Sequence, residues 1–139
     1  MASTSGSCLC KKITYIYTGE PTSKMTICHC CECQKLTGSA FTYDFLVPRE
    51  NFKWTSGSPK SNSFIQESGI RVDYRFCPDC GTVLFKKSDE DDFKTFYLVQ
   101  GGTIDGTDVK TKPDVELWTT RKLEWIEAIE GAEQAKQFK

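Results

Sequence analysis

The chain has 139 residues, 38% of them hydrophobic, with nine Phe, five Tyr and three Trp, which suits one domain with a buried core and excludes a disordered tail. Eighteen Lys and Arg against nineteen Asp and Glu give a formal charge of -1, so there is no basic excess for nucleic acid. No apolar run reaches the roughly 20 residues of a membrane span. The start Met-Ala-Ser-Thr-Ser-Gly-Ser has neither signal nor transit character, so a cytoplasmic protein is expected.

Period-two alternation dominates the chain and predicts a mainly β protein with antiparallel strands. Ile13, Tyr15 and Tyr17 alternate with polar residues, and the turn signal Thr18-Gly19-Glu20-Pro21 follows. A short helical turn is expected after Cys30. Phe41, Tyr43, Phe45 and Val47 alternate until Pro48, and residues 56–63 read as a polar loop. Ile70, Val72, Tyr74 and Phe76 alternate with Arg71, Asp73 and Arg75 in a strand that runs into Cys77. Further strands are expected at residues 83–85, 93–99 and 115–118, separated by the acidic turn 88–92, Gly101-Gly102 and Asp105-Gly106. Residues 127–138 carry a weak helical pattern. The expected organisation is one domain over 1–139, with a core near 5–126 and a tail at 127–139.

The compositional anomaly is eight Cys beside one His. A disulfide framework belongs to secreted chains, and this one lacks both a leader and an Asn-x-Ser/Thr site. The cysteines are instead clustered as metal ligands are. Cys77-Pro78-Asp79-Cys80-Gly81 reads as a zinc knuckle: two thiolates two residues apart reach one ion from a tight turn, and the glycine permits a positive φ. A closed site needs two more ligands. The alternation of Cys8-Leu9-Cys10 sends both thiols to one side, and closing a long loop between the two pairs costs only logarithmically in its length.

Cys28-His29-Cys30-Cys31-Glu32-Cys33 forms a separate group. Cys28 and Cys30 share a strand face, and the spacing from Cys30 to Cys33 repeats that of the knuckle, so these three can converge on a second metal; three protein ligands would leave one position open, which distinguishes a catalytic zinc from a structural one. His29 and Cys31 point the other way if the alternation holds.

These three cysteine groups, with Gln34, Lys35 and Gly38, the segment Phe45-Leu46-Val47-Pro48, Phe52-Lys53-Trp54 and Trp125, resemble the glutathione-dependent formaldehyde-activating enzyme family, which includes centromere protein V. The resemblance implies a small two-sheet β fold organised around zinc, similar to methionine sulfoxide reductase B. It implies a structural zinc on Cys8, Cys10, Cys77 and Cys80, and a catalytic zinc on Cys28, Cys30 and Cys33. Its activity is carbon–sulfur lyase chemistry on a glutathione adduct, S-hydroxymethylglutathione or a larger conjugate. Two positions depart from the family pattern: Pro113 is followed by Asp114, Val115 and Glu116 where members carry His in Pro-x-x-His, and Cys31 stands where other residues are usual.

Glutathione brings two carboxylates and one ammonium, so Lys35, Arg49, Arg71 and Arg75 are candidate cations, with Tyr43 and Phe45 as pocket walls. The partner expected is a small molecule. Two alternatives come from other classes: a non-catalytic zinc module binding a protein or chromatin partner, and a glutathione carrier without turnover.

Overall fold

The computed structural model describes residues 3–19, 24–90, 92–106 and 112–139. The turn expected at Glu20 and Pro21, and Asp91 of the acidic turn, lie outside the described residues.

Two sheets enclose the main core. The smaller contains β1 (Ser3–Ser7), β2 (Thr14–Thr18) and β5 (Phe52–Ser56) in the order β1-β2-β5. The larger contains β3 (Met25–Cys28), β4 (Thr42–Pro48), β6 (Lys60–Ile65), β7 (Arg71–Phe76), β8 (Val83–Lys87), β9 (Phe96–Gln100), β10 (Val115–Leu117) and β11 (Glu133–Gln134), ordered β11-β10-β3-β4-β9-β8-β7-β6. One short helix, α1 (Cys31–Thr37), joins β3 to β4.

The alternations seen in the sequence decide which side chains enter the core. Tyr15 and Tyr17 of β2, Phe45 and Val47 of β4, Phe85 of β8 and Val99 of β9 are buried in one cluster. Phe85 stacks on Tyr97 at 4.1 Å between ring centroids, and Phe52 meets both rings edge-on. Each buried ring contributes on the order of 1.5–3 kcal/mol. Gly6 is required by this packing, because a Cβ there would overlap the phenol end of Tyr15.

Three expectations are corrected. The sheets are not wholly antiparallel: β10 runs parallel to β3, and β11 parallel to β10. Residues 56–63 are not one loop, since β6 begins at Lys60 and pairs with β7 from Lys60↔Phe76 to Ile65↔Arg71. That polar strand sits at the sheet edge, where no apolar pattern is needed. The tail is not helical. It crosses the sheet end in extended form, held by Trp118 N–H on Gln137 O at 3.0 Å and Thr119 N–H on Ala135 O at 3.0 Å.

Candidate metal centre

The N-terminal and knuckle cysteines meet as the spacing suggests. Cys8 Sγ lies 3.6 Å from Cys10 Sγ, and Cys10 Sγ 3.7 Å from Cys77 Sγ. All four Sγ atoms of Cys8, Cys10, Cys77 and Cys80 fall within 4.8 Å of one another. A tetrahedron of sulfurs at metal–sulfur distances of about 2.3 Å has edges of about 3.8 Å, so the donor set fits a thiophilic ion. Backbone amides turn toward the sulfurs: Ile13 N–H donates to Cys8 Sγ at 3.3 Å and Cys80 N–H to Cys77 Sγ at 3.5 Å. Gly81 has φ 79°, the left-handed conformation that the knuckle requires of it. Hydrogen bonds from the Thr82 hydroxyl and neighbouring backbone amides hold the Cys80 thiol down to about 5.

The second group forms where β3 passes into α1. Cys28 ends β3, Cys30 is the N-cap of α1 and its sulfur accepts from Cys33 N–H at 3.3 Å, and Gly38 closes the helix with φ 68°. This single turn brings the buried Sγ atoms of Cys28, Cys30 and Cys33 within 4.8 Å of one another. Hydrogen bonds from the Cys28 and Cys30 thiols, together with the nearby Lys86 ammonium, hold Cys33 well below the usual thiol range. Cys31 is exposed on α1 and stands outside the group.

The group lies on the face of the large sheet turned away from the small sheet, because Cys28 pairs with Thr42, and Thr42 and Asp44 share a side of β4. Lys86 reaches this place from β8. Its Nζ is 3.2 Å from Cys33 Sγ, 3.2 Å from Thr42 Oγ1 and 3.3 Å from Asp44 Oδ2. Both charged side chains are buried, 5% and 1% exposed. Although burial opposes its charge, Asp44 and the cysteine sulfurs keep Lys86 above the ordinary lysine range. Burial pushes Asp44 up to about 6.

A pocket of ≈ 50 Å³ opens on all three cysteines and is walled mainly by apolar residues. A second, larger cleft of ≈ 670 Å³ is lined by chain neighbours of the four-thiol group, Leu9 and Thr82, together with Thr37, Phe41, Thr42 and Tyr43.

Residues 3–121 match the family described as glutathione-dependent formaldehyde-activating enzyme. The chain belongs to that family. A Rhodobacter sphaeroides protein of known crystal structure shares the fold, with a TM-score of 0.60, 15% identity, and coverage of 78% of this chain and 97% of that one. No curated protein matches the sequence significantly.

Within this family member, the other predicted site residues are dispersed. Tyr43 lines the large cleft, and Phe45 is buried in the main core. Lys35 borders a shallow groove with Glu32, Leu36, Phe64 and Tyr74. Arg49 lies just beyond the far end of β4, roughly 20 Å from Thr42 at the rise of a strand, and is engaged by Asp89 at 2.9 Å, Ser88 O at 2.8 Å and Phe96 O at 3.2 Å. Arg71 pairs with Asp73, and Arg75 lies over the Phe85 ring.

His29 turns away from the cysteines, as the alternation predicts. Its Nε2 lies 2.7 Å from Glu116 Oε1, both side chains fully buried. Glu116, at the position where the family pattern has histidine, also accepts from Gln134 Nε2 at 2.6 Å and Ile129 N–H at 2.8 Å. Lys86 and Asp44 were not among the residues singled out from the sequence. The available signal was the second face of β4: Thr42 and Asp44 alternate with the core residues and read as solvent-facing, whereas here that face is covered.

Among the described residues, no helix is long and apolar enough to cross a membrane.

Proposed function

We propose that the chain is a zinc-dependent carbon–sulfur lyase that makes or breaks the C–S bond of a glutathione adduct, with Cys28, Cys30 and Cys33 holding the catalytic zinc and Cys8, Cys10, Cys77 and Cys80 a structural one. The observation that carries this is the unequal size of the two thiol groups: four sulfurs close one site, while three sulfurs beneath a pocket leave the other open. Zinc held by three thiolates supplies a seat for an incoming thiol and favours its thiolate form at neutral pH.

The chain's own residues supply the rest. Lys86 sets a fixed positive charge against Cys33, offsetting part of the negative charge that three thiolates and a substrate sulfur bring together. Thr42 stands between this charge pair and the large cleft, accepting from Lys86, donating to Asp44 and lining the cleft. The cleft volume falls within the range of small-molecule sites, and Tyr43 offers a wall for the tripeptide. Lys35 is the nearest assigned cation in sequence to the site and is our choice for a glutathione carboxylate. Arg49 would serve only by releasing Asp89. Attack of the thiolate sulfur on an electrophilic carbon makes the C–S bond, and the reverse breaks it. A cytoplasmic location suits eight free cysteines.

Cobalt-substituted protein tests this. Glutathione should alter the thiolate-to-cobalt absorption in wild type and in Cys31→Ser, and S-methylglutathione, which has no ionisable thiol, should not. A response confined to Cys31→Ser would mean that Cys31 closes the site and would favour a structural zinc module over an enzyme.

A further inference from the structure

One residue lining the pocket over Cys28, Cys30 and Cys33 carries a buried polar atom with no protein partner. Asp44 lines this pocket, and its side chain is 1% exposed. Its Oδ2 accepts from Thr42 Oγ1 at 3.2 Å and lies 3.3 Å from Lys86 Nζ. Among the described residues none donates to its Oδ1, which is buried. Lys86 does not supply the missing donor: its Nζ donates to Cys33 Sγ and Thr42 Oγ1 and approaches Asp44 through Oδ2. A buried carboxylate oxygen is seldom left bare, so the site is completed by a donor from outside the chain. Most of the other pocket walls are carbon: Phe64, Ile70, Val72, Leu98, Leu117 and Phe138. At ≈ 50 Å³ the pocket admits about three to five non-hydrogen atoms. The complementary ligand therefore carries one hydroxyl near the sulfur and a short apolar chain.

We propose that Asp44 Oδ1 binds the hydroxyl of a hemithioacetal, an S-(1-hydroxyalkyl) adduct of glutathione whose alkyl chain fills this pocket, and takes the hydroxyl proton as the C–S bond breaks. The O–H electron pair becomes the C=O bond of the released aldehyde, the C–S pair leaves with the sulfur as thiolate, and the proton rests on Asp44. In the making direction Asp44 returns that proton to the new hydroxyl. The electrophile is thus a short-chain alkyl aldehyde. This inference rests on the proposed function, since it takes the sulfur to sit at the three cysteines. Burial raises the pKa of Asp44, which suits a group that both takes and returns a proton near neutrality.

Carbon-13 exchange spectroscopy on holoenzyme with glutathione and either formaldehyde or propanal tests both levels. Wild type should favour propanal over formaldehyde in kcat/KM by about ten-fold or more. Asp44→Asn should lower kcat by about 10²-fold or more while KM for glutathione moves by less than about three-fold. Val72→Phe should cut propanal exchange at least about ten-fold more than formaldehyde exchange. Because Asp44→Asn leaves Lys86 without its counter-ion and can unfold, carboxyl-labelled wild type provides a second readout: adding glutathione and propanal together should move one buried Asp carboxyl resonance, and glutathione alone should not. Glutathione-dependent exchange that survives Asp44→Asn in a folded protein, or a preference for formaldehyde, overturns this inference and leaves the proposed function standing. Absence of glutathione-dependent exchange with either aldehyde overturns the proposed function and this inference with it.

Discussion

Lys86 Nζ lies 3.2 Å from Cys33 Sγ across 53 residues of sequence, fully inside the protein. A buried ammonium is tolerated only where anionic partners surround it, and here Asp44 and the cysteine sulfurs do so. The contact ties β8 to α1 and places a cation beside the thiolate that the cysteine group already favours.

Lys86→Met should destabilise the protein by about 3–5 kcal/mol, because it leaves the Asp44 carboxylate buried without a counter-charge. Adding Asp44→Leu should recover most of that loss, since both charges are then gone. Urea denaturation of the two single variants and the double variant checks this; additive losses would show that the ion pair is not the coupled unit.

The two cysteine groups should respond differently to mutation. Cys77 is fully buried within the four-thiol group, where the proposed metal would supply folding free energy, so Cys77→Ser should unfold or precipitate the chain. Cys33→Ser should stay folded, lose one metal ion and lose activity. Circular dichroism with metal analysis separates the outcomes, and equal loss of structure from both would contradict the division of labour.

Native protein should carry about two zinc ions per chain, and after removal of zinc under denaturing conditions all eight cysteines should alkylate without prior reduction. A strong chelator should melt the protein as it strips the four-thiol site. Mass spectrometry reads both; four disulfides and no metal would sink the metal assignment.

Arg121 clamps Glu67 through two hydrogen bonds of 2.9 and 2.8 Å, joining the turn after β10 to the β6–β7 hairpin. Those bonds hold the Glu67 carboxyl below the usual glutamate range. A lowered folded-state value means the clamp is fully present above the ordinary glutamate pKa of about 4.3 and is lost as pH falls through the lowered value. Amide exchange in the 66–70 hairpin should therefore quicken in acid relative to the main core, and Glu67→Gln should show the faster rate already at neutral pH.

The sequence by itself determined the local cysteine clusters and most of the strands. Cysteine spacing is a local property: a two-residue gap in a turn and a one-residue gap in an extended segment each bring two thiols together without help from distant structure, so the pair in each segment and the grouping of Cys28, Cys30 and Cys33 could be read directly, whereas the meeting of Cys8 and Cys10 with Cys77 and Cys80 is a tertiary contact. The same held for β2, β4 and β7, where alternation marks the strand, and for the outward turn of His29. Tertiary structure decided what those faces meet. Glu116 became the partner of His29 because the parallel pairing of β10 with β3 sets Glu116 opposite Ile27, a register that no local pattern encodes. Thr42 and Asp44 read as a solvent face because alternation distinguishes two sides of a strand but cannot say whether the polar side is also covered. Here α1 and Phe138 of the extended tail pack on that side, and Lys86 arrives from a strand four decades of residues away to neutralise the acid it finds there. Burial on both faces is a property of the assembled layers, so the charged pair beside the cysteines became visible only once the sheet and its covering were in place.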